Sequence, residues 1–238
     1  MFADIHMHAL SGVDDGADNE KEMFAMIDMA YKKGTKVVCV TPHCAPQYFG
    51  INVKQIDKSY KILNNYVKKR YVDMELYLGN ELRYSSGCLE LLGSGICKTI
   101  NNTRYLLVDF SASDTRKTIV QGINTLLNAG YIPILAHVER YVELQHDLEC
   151  LYSFKDDGVL IQIDAQALFR KFGLRAQRIC KKLLDRRMVD LVASDAHGTG
   201  EYHPDLSKAY QYVTDKYGKA YANAIFRDNA IEILCSTE

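Results

Sequence analysis

Short apolar runs alternate along this chain with segments whose apolar residues fall at helical spacing. The runs 2–7, 36–41, 74–80, 104–110, 132–137, 159–164 and 189–194 are rich in Val, Ile, Leu and Tyr and carry little charge. That is the pattern of strands buried on both faces. Between them lie helical stripes: Met23, Met26, Ile27, Ala30 and Tyr31; Ile56, Tyr60, Leu63 and Val67; Ile119, Ile123, Leu126 and Leu127; Ala176, Ile179, Leu183 and Leu184. Each is an i, i+3, i+4, i+7 face. Gly34 and Gly130 stand where helix C-caps belong, each just before a strand. Residues 205–234 read as helices with no strand after them.

Seven strands alternating with helices predict a parallel α/β sheet, open or closed. The polar residues at the strand ends decide for closure. His6 and His8 end or follow the first strand, His43 the second, Glu81 the third, Asp109 the fourth, His137 the fifth, and Asp195 and His197 the seventh. Side chains from the C-terminal ends of so many strands meet at one point only if the sheet curls into a barrel. The expected fold is therefore a closed α/β barrel, with residues 1–238 as one domain, a length that suits such a barrel. Two histidines fall outside the strand ends. His146 reads as solvated surface on a helix, and His203 lies beyond the last strand.

Composition narrows the partners. Lys plus Arg number 29 and Asp plus Glu 30, for a formal net charge of −1, so no electrostatic footprint points to nucleic acid or an anionic membrane. No apolar run approaches the ~20 residues of a membrane span. The N-terminus enters the first strand with no basic region followed by an apolar run, so no signal peptide is expected. The 7 cysteines form no CxxC pair and suggest no disulfide framework, and a cytoplasmic location is expected.

In His6-Met7-His8 the two imidazoles share one strand face, because alternate side chains do. Both can converge on one metal ion. Each strand-end His or carboxylate taken singly is more often a hydrogen-bonded residue at the rim of a core; this many at equivalent positions is a site. Neutral imidazoles with carboxylates and no cysteine pair make a nitrogen and oxygen site suited to Mn, Fe, Zn or similar divalent ions. His6, His8, Asp15, His43, Glu81, Asp109, His137, Asp195 and His197 are enough ligands for two or three ions. Such ions lower the pKa of bound water and supply a nucleophile for phosphoester or amide hydrolysis. Arg140, three residues after His137, favours phosphate, since a guanidinium grips two phosphate oxygens; an ion pair with Glu139 or another acidic side chain fits the spacing equally well. Cys180 and Arg186 match the C-x5-R spacing of cysteine-dependent phosphatases, but the residues between them are helix formers without glycine, and Cys180 lies on an apolar stripe. It reads as core. Cys44, beside His43, is the one cysteine expected near the site.

Taken together, the segments Asp4-Ile5-His6-Met7-His8, Val13-Asp14-Asp15-Gly16-Ala17, Thr41-Pro42-His43, Gly79-Asn80-Glu81, Ala136-His137-Val138-Glu139-Arg140-Tyr141, Lys171-Phe172-Gly173 and Ala193-Ser194-Asp195-Ala196-His197 resemble the polymerase-and-histidinol-phosphatase (PHP) superfamily. The resemblance is nearest to its bacterial tyrosine-phosphatase branch, associated with capsule and exopolysaccharide synthesis. It implies a distorted (β/α)7 TIM-like barrel with a trinuclear, usually manganese-dependent centre, with Fe, Zn, Co or Mg as alternatives. The nine residues above would be its ligands, Arg140 would hold phosphate, and Arg140, Asp195 and His197 would be the catalytic group. It implies hydrolysis of phosphotyrosine on a partner bacterial tyrosine kinase by metal-activated water, with an oligomer as an open question. Two departures stand out. The fourth strand ends in Asp109 where the family usually has Glu, and Gly198-Thr199-Gly200-Glu201-Tyr202-His203-Pro204 replaces an Arg-Pro-Pro segment. Tyr202 or His203 are candidates to replace the missing arginine, and His203 is a candidate proton donor. Competing readings are a phosphoesterase acting on a small ester such as histidinol phosphate, an amidohydrolase, and a metal-bound module that docks a kinase without turnover.

Overall fold

The computed structural model describes residues 1–145 and 148–236, so the reading of His146 lies outside the described residues. Nine short strands run β1 (Phe2–Asp4), β2 (Thr35–Val40), β3 (His43–Cys44), β4 (Glu75–Leu78), β5 (Glu81–Arg83), β6 (Tyr105–Asp109), β7 (Ile132–Leu135), β8 (Leu160–Asp164) and β9 (Leu191–Ala193). Around them are α1 (Glu20–Lys32), α2 (Val53–Arg70), α3 (Cys88–Gly93), α4 (Arg116–Asn128), α5 (Leu148–Asp156) and α6 (Gly173–Asp185). The chain closes with α7 (Ser207–Tyr217), α8 (Lys219–Asn223), a π-helical turn (Ala224–Asp228) and α9 (Asn229–Cys235).

All strand pairs are parallel, in the orders β1-β2-β4 and β3-β5-β6-β7-β8-β9. The nine segments occupy seven barrel positions, because β3 continues β2 and β5 continues β4. The predicted strands 36–41 and 74–80 are thus each followed by a short second piece. Pro42 has no N–H to give a ladder. Asn80 fills the gap: its Nδ2 donates to the Pro42 carbonyl (2.8 Å), and its Oδ1 accepts from the Lys98 N–H (2.8 Å). The sheet closes on itself where Asp195 N–H donates to His6 O (3.0 Å), His8 N–H donates to Ala196 O (2.9 Å), and Met7 bridges Ala196. The predicted first strand, 2–7, is shorter than expected for a reason described below.

The helices form where the stripes predicted. Met23, Met26, Ile27 and Ala30 are fully buried on α1, as are Ile119, Ile123 and Leu126 on α4. Asn19, Asn52 and Thr115 cap α1, α2 and α4 by accepting from a backbone N–H of the first turn. Gly34 and Gly130 follow their helices at φ of 98° and 90°, a conformation that favours glycine. The strands bury both faces, as their composition requires. Val38 and Val40 pack with α1 and α2, whereas Val37 and Cys39 join Ala3, Ile5, Leu107, Ile134 and Leu191 in a second core. Ala230, Ile233 and Leu234 of α9 complete that core. The C-terminal helix therefore plugs one end of the barrel and leaves the carboxyl ends of the strands open.

Candidate metal centre and active site

The floor of the site is built from β1 outward. The fully buried Asp4 carboxylate accepts from the backbone N–H groups of His6 (3.3 Å) and Ser194 (3.1 Å). These bonds replace ladder bonds, so the strand stops at Asp4. Burial pushes the Asp4 carboxyl up to about 6, against the pull of the Ser194 and His6 bonds. Beyond it His6 and His8 turn into the barrel mouth, both fully buried.

Each of these rings is held from behind. His6 Nδ1 donates to Gln162 Oε1 (3.0 Å) and His8 Nδ1 to Asp14 Oδ2 (2.8 Å). The Gln162 amide cannot be flipped without loss: its Oε1 also accepts from the His137 N–H (3.2 Å), and its Nε2 donates to Asp164 Oδ1 (3.1 Å). Burial alone would raise the Asp14 carboxyl, but His8 reverses this and holds it below its usual range. With Nδ1 committed as donor, the lone pair of each ring sits on Nε2. The two Nε2 atoms face each other at 3.2 Å, with oxygens of Glu81 and Asp195 3.1–3.4 Å from them. So many electron-pair donors around one point are stable only with a cation among them. Protons serve in its absence. Burial would lower His6 and His8, but Glu81 and Asp195 for His6, and Asp14 for His8, outweigh it and lift both well above the ordinary imidazole value. A divalent ion fits the same place, because the donors are all nitrogen and oxygen and each ring has a second partner fixing its orientation.

The other predicted residues complete the cluster. Glu81 Oε1 lies 2.9 Å from His137 Nε2, and Asp109 Oδ1 lies 3.7 Å from the same nitrogen. Asp15 Oδ1 lies 3.3 Å from His43 Nε2 and 3.5 Å from His197 Nε2. His43 Nδ1 and Glu81 Oε2 stand 2.7 Å apart without hydrogen-bond geometry, and among the described residues neither has a hydrogen-bond partner. All nine candidate ligands fall into four overlapping groups: His8, Asp15, His43, His197; His6, His8, Glu81; His6, His137, Asp195; Glu81, Asp109, His137. Burial would raise Glu81 and Asp195, but His6 and its neighbours hold both well below the usual carboxylate range. Asp109 moves the other way: burial raises it, and His137 and Arg83 recover only part.

Two features of the backbone serve this convergence. His137 and Asp195 sit just past β7 and β9 at φ of 34° and 48°. Such left-handed non-glycine residues cost of order 1–3 kcal/mol and persist where surrounding structure holds them. Gly16, after the Asp14-Asp15 pair, lies so close to His8 that a Cβ would fall 1.9 Å from the His8 carbonyl oxygen. Only glycine allows that approach.

A cavity of about 250 Å³ opens over the cluster, lined by Asp15, His43, Glu81, Asp109, His137, Asp195 and His197 together with Arg83, Arg140, Phe110, Ala112 and Tyr141. Arg140 therefore reaches the cavity, and it is also an ion-pair partner. Its Nη2 donates to Asp164 and to Asp195 Oδ2 (2.5 Å), and its guanidinium lies over the Phe172 ring at 4.1 Å. Asp164 and Asp195 are the other acidic side chains that the spacing allowed; Glu139 itself is fully buried and accepts from the Asp164 N–H at 3.1 Å, with its carboxyl raised by burial and by Asp164. Tyr202 lies beside Asp15, Arg140, Asp195 and His197, but His203 lines a separate pocket with Gln166, Phe169 and Lys171 and does not face the cluster. Its candidacy as phosphate or proton donor is thereby corrected. Cys180 is fully buried while Arg186 is exposed, as the core reading requires. Cys44 is buried beside His43 but packs into the hydrophobic core.

Sequence patterning had no means to find Gln162, which lies inside an apolar run. Asp14 and Arg83 had local signals: one adjoins Asp15, and the other is two residues from Glu81 and so on the same strand face.

The family model described as capsular polysaccharide synthesis, CpsB/CapC, matches residues 2–235. The tyrosine-protein phosphatase CpsB of Streptococcus agalactiae serotype III (strain NEM316) is 31% identical over 236 residues, 97% of each chain. The tyrosine-protein phosphatase YwqE of Bacillus subtilis (strain 168) is 27% identical over 215 residues, 90% of this chain and 85% of that one. Among solved structures, one described with YwqE from Bacillus subtilis and CpsB from Streptococcus pneumoniae as unique metal-dependent tyrosine phosphatases superposes with a TM-score of 0.87 at 25% identity, covering 98% of this chain and 94% of the other.

Proposed function

The chain belongs to the CpsB/CapC family of capsular polysaccharide synthesis proteins, and on that premise we propose that it is a metal-dependent protein-tyrosine phosphatase. The observation that carries this reading is the pair of Nε2 lone pairs of His6 and His8, 3.2 Å apart, under a cavity that also holds the Arg140 guanidinium. Residues 1–238 act as one catalytic unit, in the cytoplasm, on a phosphotyrosine-bearing protein such as a bacterial tyrosine kinase of capsule synthesis. No helix among the described residues is long and apolar enough to cross a membrane.

His6, His8, Asp15, His43, Glu81, Asp109, His137, Asp195 and His197 would hold two or three divalent ions, Mn²⁺ foremost. When bound, such ions polarise phosphoryl oxygens and activate water near neutral pH. The chain's own groups do the rest. Arg140 stabilises the equatorial charge of the transferring phosphoryl group, and Asp164, Asp195 and Phe172 fix its orientation. Phe110 and Ala112 give the cavity an apolar wall for an aryl ring. A tyrosinate leaving group, with a phenol pKa of about 10, needs less help from a proton donor than a serine alkoxide. His203, facing elsewhere, is not required.

The test is hydrolysis by chelator-stripped protein, with and without added Mn²⁺, of a phosphotyrosine peptide, a phosphoserine peptide and histidinol phosphate. The expected result is Mn²⁺-restored activity that prefers phosphotyrosine. Preference for histidinol phosphate would overturn the substrate, and no turnover of any ester by the loaded protein would overturn the phosphatase reading.

A further inference from the structure

Arg140 is not the only guanidinium in the cavity. Arg83 lines it too, from a different wall. Arg83 is the last residue of β5, two positions beyond Glu81, so both side chains point to the same face, with Arg83 one pleat nearer the mouth. Its register partner on β6 is Asp109. Arg140 follows β7, two strands away. At about 4.8 Å per strand β5 and β7 run roughly 10 Å apart, and both guanidinium groups line the cavity at the strands' carboxyl ends.

The arrangement of Arg83 leaves it donors to spare. Nη2 binds Asp109 Oδ2 at 2.6 Å, and Nε is buried with no hydrogen-bond partner among the described residues. The Tyr48 ring, from the loop after β3, lies 5.8 Å from the guanidinium carbon. A guanidinium has five N–H donors in a fixed fork. Pairing with one carboxylate oxygen uses a small part of that capacity and orients the remainder. An arginine needed only to neutralise Asp109 would not have to line the cavity or leave a buried donor unused.

We propose that Arg83 is a second phosphate-holding residue, gripping the phosphoryl group from the β5–β6 side while Arg140 grips it from beyond β7. The inference rests on the phosphatase reading and assigns the second arm of its phosphate clamp. Asp109 then has two roles, as a candidate ligand through Oδ1 near His137 and as the anchor that aims Arg83 through Oδ2.

The experiment is calorimetric binding of inorganic phosphate to the Mn²⁺-loaded protein, with metal content and Tm measured on the same samples, for wild type, Arg83→Ala, Arg83→Met and Arg83→Lys. Met keeps the aliphatic stem in case Ala disturbs packing. A lost charge-assisted pair of hydrogen bonds corresponds to about 10- to 100-fold in affinity. Arg83→Ala and Arg83→Met should therefore weaken phosphate binding by that factor and raise KM for a phosphotyrosine peptide similarly, with metal content and Tm unchanged. Arg83→Lys should recover part of the loss. Phosphate affinity within twofold of wild type in both Ala and Met variants would overturn the proposal and leave Arg83 as a neutraliser of Asp109. Loss of metal with unchanged phosphate affinity per loaded site would overturn it too. A wild-type protein that hydrolyses phosphotyrosine with indifferent Arg83 variants sinks this inference alone; a loaded wild type that neither binds phosphate nor hydrolyses any ester sinks the phosphatase reading as well.

Discussion

The floor and the rim of the site are built on different plans. On the floor, His6, His8 and Glu81 are fully buried, and each imidazole has a dedicated partner behind it, Gln162 or Asp14. On the rim, the side chain of Asp15 is 52% exposed and that of His197 21%. His197 Nδ1 donates to the carbonyl of Asp195 at 2.9 Å, with Asp195 Oδ1 3.7 Å away, and His43 has the Phe49 ring stacked against it at 5.0 Å. The floor is fixed before any ligand arrives. The rim is more open to solvent. A site divided this way can hold its inner ions tightly while the outer wall adapts to a phosphate entering from solvent.

The sharpest way to break the division is at the residue that joins the two regions. Gly16 presses on the His8 carbonyl and follows Asp15 directly. In Gly16→Ala a backbone must move, since the obstructing atom is not a flexible side-chain tip. Displacing catalytic groups by about 1 Å can cost 10²-fold in rate. Activity should fall by at least about that factor, and metal content per chain, measured by atomic emission, should fall with it. Full metal content with wild-type rate would show that floor and rim do not depend on this contact.

Next in size is the support behind the floor. Gln162→Leu removes the acceptor for His6 Nδ1 while keeping side-chain bulk. Lost partners behind metal-binding histidines typically cost about 10- to 100-fold in affinity. Titrating Mn²⁺ into stripped protein should show that loss, whereas Asp15→Asn on the rim should remove only the weakest step of the titration. Equal effects on every step would mean that the two regions bind as one.

Protons probe the same contrast. An imidazole whose folded pKa is raised adds stability below its unfolded value near 6.5 and loses it as pH climbs through the folded value. For His43 burial and His8 act downward, and Glu81 and Asp15 lift it to about 9; His6 and His8 are raised well above the ordinary value. Metal-free protein should therefore lose stability as pH rises from 6.5 through 9. The loaded protein should not, because ions replace those protons. Thermal unfolding of both forms across that window checks it, and parallel curves would contradict the proton-for-metal exchange.

How much of this was legible in the sequence follows the same line. Apolar runs and stripes placed the barrel positions and four helix faces, because burial on two faces or one leaves a periodic trace. Strand-end polar residues identified the cluster, because a parallel barrel gathers those ends. The breaks were hidden. Nothing periodic marks Asp4 diverting the backbone N–H groups of His6 and Ser194, or Asn80 replacing ladder bonds across Pro42. The supports were hidden too, since Gln162 and Asp164 lie on a strand that contributes none of the nine candidate ligands. Which acid pairs with Arg140 was a matter of three-dimensional register: spacing allowed Glu139 or another acidic side chain, and the turn after His137 sends Glu139 inward and leaves Arg140 to Asp164 and Asp195.

The smallest expected effect lies at the outermost edge of the rim. Phe49 stacks on His43 with only 3° between ring planes and is itself 40% exposed. An aromatic pair of this kind contributes about 1 kcal/mol beyond its buried area, or roughly fivefold in an equilibrium constant. Because His43 also touches Glu81 and Asp15, it does not depend on Phe49 for its place. The exposed part of the Phe49 ring offers a contact of similar strength to a substrate's aryl ring, so Phe49→Ala should leave metal content and Tm near wild type and raise KM for a phosphotyrosine peptide by about that factor, with little change in kcat. The same variant should barely affect inorganic phosphate binding, because the anion has no ring to pack. A loss shared equally by peptide and free phosphate would place Phe49 with the floor, as a support of His43, and would erase the distinction between the two regions at that point.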